Sequence, residues 1–195
     1  MANATVLCSL DDLKSYLQIA GASKDVILES IKAAVEALVK TYTGRDLLIP
    51  GADYLEYYDG DGTAILRVAQ RPVVSITSIY SDPARLWPAA SLIPASDYVV
   101  DDLRDNNAGL ITLNDYRFLS GRKATKISYK AGYATVPSDL SHAVKLICAK
   151  EYTIQDKRMF GTLTQAVGEL TLSLEVDAWP KNAIEILQRY RRISL

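Results

Sequence analysis

A chain of 195 residues, 49% hydrophobic and 23% charged, can bury roughly 70% of the surface its unfolded form exposes. That excludes a mainly disordered polypeptide and one that needs a metal or disulfide to hold a core. Its 22 Lys and Arg against 23 Asp and Glu leave a net charge of −1, a poor balance for a protein that works by clamping phosphates. One histidine, His142, and two cysteines, Cys8 and Cys148, exclude His-rich metal centres, zinc ribbons and disulfide-built scaffolds.

Ser9-Leu10-Asp11-Asp12 predicts a short helix capped by Ser9, with Leu10, Leu13 and Leu17 on one face. Gly21-Ala22-Ser23 breaks it, and Ser23 is placed to cap a longer helix whose apolar stripe reads Ile27, Ile31, Ala34, Leu38 and Tyr42, stopped at Gly44. From Tyr54 the period changes to two. Tyr54–Tyr58 and Ala64–Val68 flank Asp59-Gly60-Asp61-Gly62 and predict a β-hairpin. Further strands are expected at Val73–Ile79, Tyr98–Val100, Leu110–Leu113 and Lys126–Tyr129. Between Ser81 and Ser96, Pro83, Pro88 and Pro94 forbid a central strand or helix, which leaves a long apolar loop.

Val136-Pro137-Ser138-Asp139 opens a helix running to about Lys157, with Leu140, Val144, Ile147 and Tyr152 as its stripe. Residues 161–166 read as loose, Leu170–Leu174 as one strand, and Asp177–Arg192 as a last helix with Pro180 in its first turn. The expected class is α+β: a helical body (1–48 and 137–195, the latter with one strand) around an antiparallel β-rich insertion at 54–132, all within a single 195-residue domain.

The chemistry-bearing residues are few, and no cofactor or metal is expected. His142 has no neighbouring Ser, Cys or carboxylate to complete a triad, and reads as a surface or capping residue. Cys148 lies on or beside a buried stripe, where thiols are inert. An EF-hand reading of Asp59-Gly60-Asp61-Gly62 fails at its twelfth position, which is Gln70. The chain contains neither GxxxxGK nor GxGxxG. No uncharged apolar run approaches the 18 or so residues of a membrane span, and the spacing of the two thiols suits a reducing, cytoplasm-like compartment.

Two segments are left for interaction. Arg189-Tyr190-Arg191-Arg192 is either a dipole-favoured helix end or a contact with a partner. Trp87 and Leu92 either fold back on the sheet or anchor a protein contact, and twelve tyrosines against two phenylalanines suit half-wet interfaces and sugar stacking alike.

The order of these pieces carries a resemblance. It runs from Leu10–Leu17, through Ile31–Glu36 leading into Tyr42-Thr43-Gly44-Arg45, to Arg71-Pro72-Val73. Then come Tyr98–Asp101, Gly109–Ile111, Ser128–Tyr133 leading into Val136–Leu140, and finally Trp179-Pro180 with Leu187–Arg192. This resembles the head–tail connector (adaptor, or head-completion) proteins of tailed bacteriophages. The resemblance implies a non-enzymatic virion protein made in the host cytoplasm and placed at the head–tail junction. It implies a ring of copies, a dodecamer in the family's usual form, that binds beneath the portal protein and extends the channel for genomic DNA without reading its sequence. The ring then offers a platform to a downstream neck or tail protein, and no membrane is involved. Carried over, the portal-facing candidates are Leu187, Tyr190, Arg191, Arg192 and Leu195, and Arg189–Leu195 is expected to be separable from the fold. Ring or tail contacts fall to Tyr57, Tyr58, Trp87 and Leu92. The rival expectation is a carbohydrate- or peptide-binding module on a virion or cell surface, using the tyrosine-rich strands.

Overall fold

The computed structural model describes residues 4–100, 109–156, 164–167, 170–173 and 179–192. The chain divides into two compact units, one of Met1–Thr5 with Asp46–Thr135 and one of Val6–Arg45 with Val136–Leu195. Helices and antiparallel sheets share one chain, so the class is α+β.

The first unit is built from strands: β1 (Tyr54–Gly60), β2 (Ile65–Arg67), β3 (Val73–Ser81), β4 (Tyr98–Val100), β5 (Leu110–Leu113) and β6 (Gly121–Ala131). They form two three-stranded antiparallel sheets, ordered β1-β6-β3 and β2-β5-β4. The expected hairpin of β1 with β2 does not form. Instead β1 pairs with β6 from Tyr54↔Tyr129 to Gly60↔Gly121, and β2 pairs with β5. Two local features divert the chain between them. Gly60 lies so close to the Leu119 carbonyl that a Cβ would sit 1.9 Å from its oxygen, so only glycine lets the strand end there. Asp61 then takes both the N–H (2.9 Å) and the hydroxyl (2.7 Å) of Thr63, an Asx turn rather than a hairpin loop.

Alternation does the rest. Leu66, Ile79, Ile111, Leu113, Ile127 and Tyr129 point inward from both sheets into one core, joined by Val68, Val73, Phe118 and Ala131. The register of β3 shifts twice, between Val73 and Ser75 and between Ile76 and Ser78, which returns Ile79 to the core side. The segment after Ser81 is a connection as expected, with short 3₁₀ turns at Ala89–Ser91 and Ala95–Asp97.

The second unit holds α1 (Leu10–Leu17), α2 (Asp25–Thr43), α3 (Ser138–Asp156) and α4 (Lys181–Arg189). Ser9 caps α1 as its sequence predicts, accepting the Asp12 N–H at 3.0 Å. Ser23 does not cap α2. Lys24 occupies that position without a side-chain capping bond, and the helix opens on Asp25, whose carboxylate meets Lys14 at 2.7 Å and suits the positive end of the helix dipole. Gly44 closes α2 at φ 69° with its N–H on the Lys40 carbonyl.

The buried face of α2 is Leu28, Ile31, Lys32, Val35 and Val39, not the expected stripe. Ile31 belongs to both, Ile27 and Tyr42 are half-buried, and Ala34 and Leu38 are exposed. The helix is apolar around most of its circumference, so periodicity leaves its rotation open, and packing on α3 chooses the face. The stripe of α3 is buried at Leu140, Val144 and Ile147 as expected, with Cys148 beside them, whereas Tyr152 is only half-buried. Pro180 stands just before α4 instead of in its first turn. Between α3 and α4 the chain makes β7 (Thr164–Val167) and β8 (Leu170–Ser173), paired antiparallel. One strand was expected here beside a loose 161–166. A strand needs a ladder partner, and the preceding segment supplies it.

Candidate functional site

The outward face of β1-β6-β3 brings together Tyr57, Tyr80 and Trp87. Tyr57 and Tyr80 both stand opposite Lys126, one on each flanking strand. The Lys126 ammonium lies 4.5 Å from the centre of the Tyr80 ring and 5.2 Å from that of Trp87, and the Trp87 ring lies 5.8 Å from Tyr57. Leu92 bridges to Tyr80 through the backbone and keeps 42% exposure. Three of the four expected contact residues, Tyr57, Trp87 and Leu92, therefore share one patch. Trp87 folds back to half-burial, while Leu92 stays outside.

Tyr58 is placed differently. It lies on the inward face, where its hydroxyl donates to Glu56 Oε2 and accepts the Ala69 N–H at 2.6 Å. Tyr129 donates to the same carboxylate oxygen at 2.6 Å and accepts the Gln70 N–H at 3.0 Å. Burial first, and then the Glu56 carboxylate, push both phenols far above their ordinary range. Period two explains the split, since Tyr57 and Tyr58 are adjacent and must point to opposite faces. Tyr58 is structural, not spare apolar surface.

The loop after β3 is organised by one carboxylate that sequence reasoning passed over. Asp82 Oδ1 accepts the Ala84 N–H at 2.9 Å, and Oδ2 accepts those of Leu86 (2.7 Å) and Trp87 (2.9 Å). These backbone bonds, that of Trp87 foremost, hold its carboxyl below the usual carboxylate range. They stabilise a chain path in which Arg85 and Trp87 take φ of 59° and 54°, and that path leaves Leu86 80% exposed. The only advance signal was an Asp ahead of a proline-rich turn.

The C-terminal candidates are anchored within the helical unit. Leu187 is fully buried and Tyr190 nearly so. The Tyr190 hydroxyl donates to Asp139 at 2.6 Å, its carbonyl accepts Arg45 Nε at 2.6 Å, and the Arg192 N–H reaches the Thr43 carbonyl at 2.7 Å. The Arg191 guanidinium lies 5.7 Å from the centre of the Tyr42 ring, and Tyr42 in turn meets Trp179 at 5.5 Å. Tyr190 and Arg192 thus close the end of α2, which speaks against a segment separable from the fold. Arg191 and Arg192 keep exposed side chains, and Leu195 lies outside the described residues.

His142 is exposed, edge-on to Tyr16 at 6.0 Å. Cys8 and Cys148 are buried free thiols. Burial raises both, Cys148 to about 12, so neither is a nucleophile near neutrality. Among the described residues no group of three His, Cys, Asp or Glu could hold a metal, and no helix is long and apolar enough to cross a membrane.

What this arrangement offers is surface: one aromatic sheet face, one rigid loop and one basic helix end. The head completion protein family matches residues 6–193, across both units. The chain belongs to that family. It is a head–tail structural protein of a phage-type virion. No curated protein matches this head completion protein. Its fold is shared by a chain in the neck of an empty gene transfer agent (GTA) particle computed with C6 symmetry, at a TM-score of 0.59 and 17% identity over 99% of this chain and 95% of that one. A chain in the virion of a native GTA particle also shares it, with a TM-score of 0.55 and 17% identity over 100% of this chain and 96% of that one.

Proposed function

We propose that this head completion protein is a non-enzymatic adaptor. Copies form a ring beneath the portal, continue the DNA channel and present a platform to the next neck or tail protein. The observation that carries the reading is the family match across 6–193, and the shared fold with a GTA neck protein agrees with it. Physical chemistry supports it as well. A closed ring needs two unlike faces on each copy. The near-neutral charge of −1 suits a wall past which DNA must slide without being held. Inert thiols and an isolated histidine leave no catalytic constellation among the described residues.

In this reading Arg191 and Arg192 meet the portal, with Leu195 beyond them. Leu187 and Tyr190 serve as the internal root that fixes their direction. The copy number, a dodecamer by family likeness, belongs to the same proposal. Negative-stain imaging and mass photometry of the purified chain, alone and with its portal, test it. Rings that cap the portal are expected, and a chain that stays monomeric and fails to bind portal overturns the reading.

Tyrosine-based glycan binding is disfavoured. The Lys126 ammonium already lies over the Tyr80 and Trp87 rings, which removes the flat open platform that sugar stacking uses.

A further inference from the structure

We propose that the outward face of β1-β6-β3 receives the neck or tail protein that joins after this chain, and that this partner sets an Asp or Glu carboxylate on Lys126. The proposal rests on the adaptor reading.

Two lysines of β6 lie on this face, and their surroundings differ. Lys130 is met by Asp53 at 3.8 Å. Lys126 stands between Tyr57 on β1 and Tyr80 on β3, with its ammonium over the rings of Tyr80 and Trp87. Among the described residues no carboxylate is paired with it. Two acids of the same unit keep their charge but turn elsewhere. Asp82 accepts the N–H groups of its own loop. Glu56, opposite the buried Ile127, binds the inward phenols of Tyr58 and Tyr129. The side chains beside Lys126 are largely apolar: Tyr57 is 45% exposed, and Leu55, two residues earlier on the same side, is 57% exposed.

One cation without a carboxylate, set among rings, states what can cover it. An uncharged surface would strip water from the ammonium and leave it unpaired, which is costly. A carboxylate flanked by apolar side chains satisfies both parts of the face. The ammonium gains an ion pair where the rings keep the dielectric low, and Tyr57, Trp87 and Leu55 gain apolar contact. Duplex DNA brings phosphates but keeps its base faces stacked on each other, so the rings would gain nothing from it. A neighbouring copy suits the face less well, because permanent contacts between copies are apolar at their centre. A face with a cation at its centre stays hydrated until a later partner arrives.

Full-length chains on filled heads that lack tails provide the test. Wild-type chain should bind heads, form rings and accept the next neck or tail component, and added salt should weaken that joining. Failure of wild-type chain to bind heads overturns the adaptor reading, and this proposal with it. Given wild-type joining, Lys126→Glu should still bind heads and form rings while lowering joining by at least about tenfold. Lys126→Arg should keep most of the joining. Lys126→Met, which leaves an aliphatic stem over the rings, should lower joining and flatten its salt dependence. If Lys126→Glu melts below wild type, the Met variant decides instead. Joining by the deciding variant at the wild-type level overturns the proposal and leaves the adaptor reading standing. Loss of rings in a variant that melts like wild type also overturns it, because a second copy is then the occupant. A benzoylphenylalanine photocrosslinker at position 57 should capture a segment of the joining protein, and changing the Asp or Glu of that segment to Lys should restore joining by Lys126→Glu. Capture of this chain or of DNA, or absence of that rescue, overturns the proposal.

Discussion

Two tyrosines of one sheet, Tyr57 and Tyr129, show how far the face of a strand decides the role of a side chain. The Tyr129 hydroxyl holds Glu56 and the Gln70 N–H together under a fully buried ring. Tyr129→Phe leaves both groups short of a partner, so a loss of about 1–3 kcal/mol in urea unfolding is expected. Tyr57→Phe, at a half-open site, should stay within about 0.5 kcal/mol. Asp82 yields a pH prediction. Its carboxyl is lowered in the folded loop, so the ordering it provides is present above the ordinary carboxylate range and is lost as pH falls through its depressed value. Trp87 fluorescence should therefore change at acid pH before global unfolding, and Asp82→Asn should remove that early step.

At the level of elements, α2 poses the clearest test of packing against pattern. Leu28 lies on the face that packs and Leu38 on the face that does not, although both fit an apolar helical period. Leu28→Ala is expected to cost about 2–5 kcal/mol in thermal or chemical melts, and Leu38→Ala under about 0.5 kcal/mol. Equal losses would mean that the helix is rotated from the face described here. The end of β1 gives a second test. Gly60→Ala must push the Leu119 carbonyl away, so it should destabilise the strand unit by at least about 1 kcal/mol, whereas Gly51→Ala, with open space around it, should be nearly silent.

For the whole molecule, the C-terminal segment ties function to folding. Removing 190–195 deletes the buried Tyr190 ring, its bond to Asp139 and the carbonyl that accepts Arg45. The truncated chain should melt at a lower temperature as well as fail to dock. The double variant Arg191→Ala/Arg192→Ala should keep its melting temperature and lose portal binding. Calorimetry read beside a portal-binding assay separates the root of this segment from its proposed working tip. Buried thiols add a chemical check: at pH 8 the native protein should resist alkylation, because Cys148 is raised to about 12 by burial, and should react once unfolded.

The amino-acid order alone determined the α+β class, α1 with its Ser9 cap, most of the α3 stripe and the positions of β1 to β6 and β8. Each depends on local periodicity or capping, which a short window contains. Strand partnership did not follow. Asp59-Gly60-Asp61-Gly62 looks like a hairpin turn, but β1 is claimed by β6 some sixty residues later. The rotation of α2 was also undetermined, because a helix apolar on most sides reads alike from several angles. Tertiary structure further decided that Tyr58, Leu187 and Tyr190 point inward, and that the Asp82 carboxylate shapes the loop carrying Leu86. The burial of Tyr58, Leu187 and Tyr190 depends on packing between groups that the linear order keeps apart, whereas the Asp82 bonds are local but belong to one of several turns that a proline-rich segment can adopt.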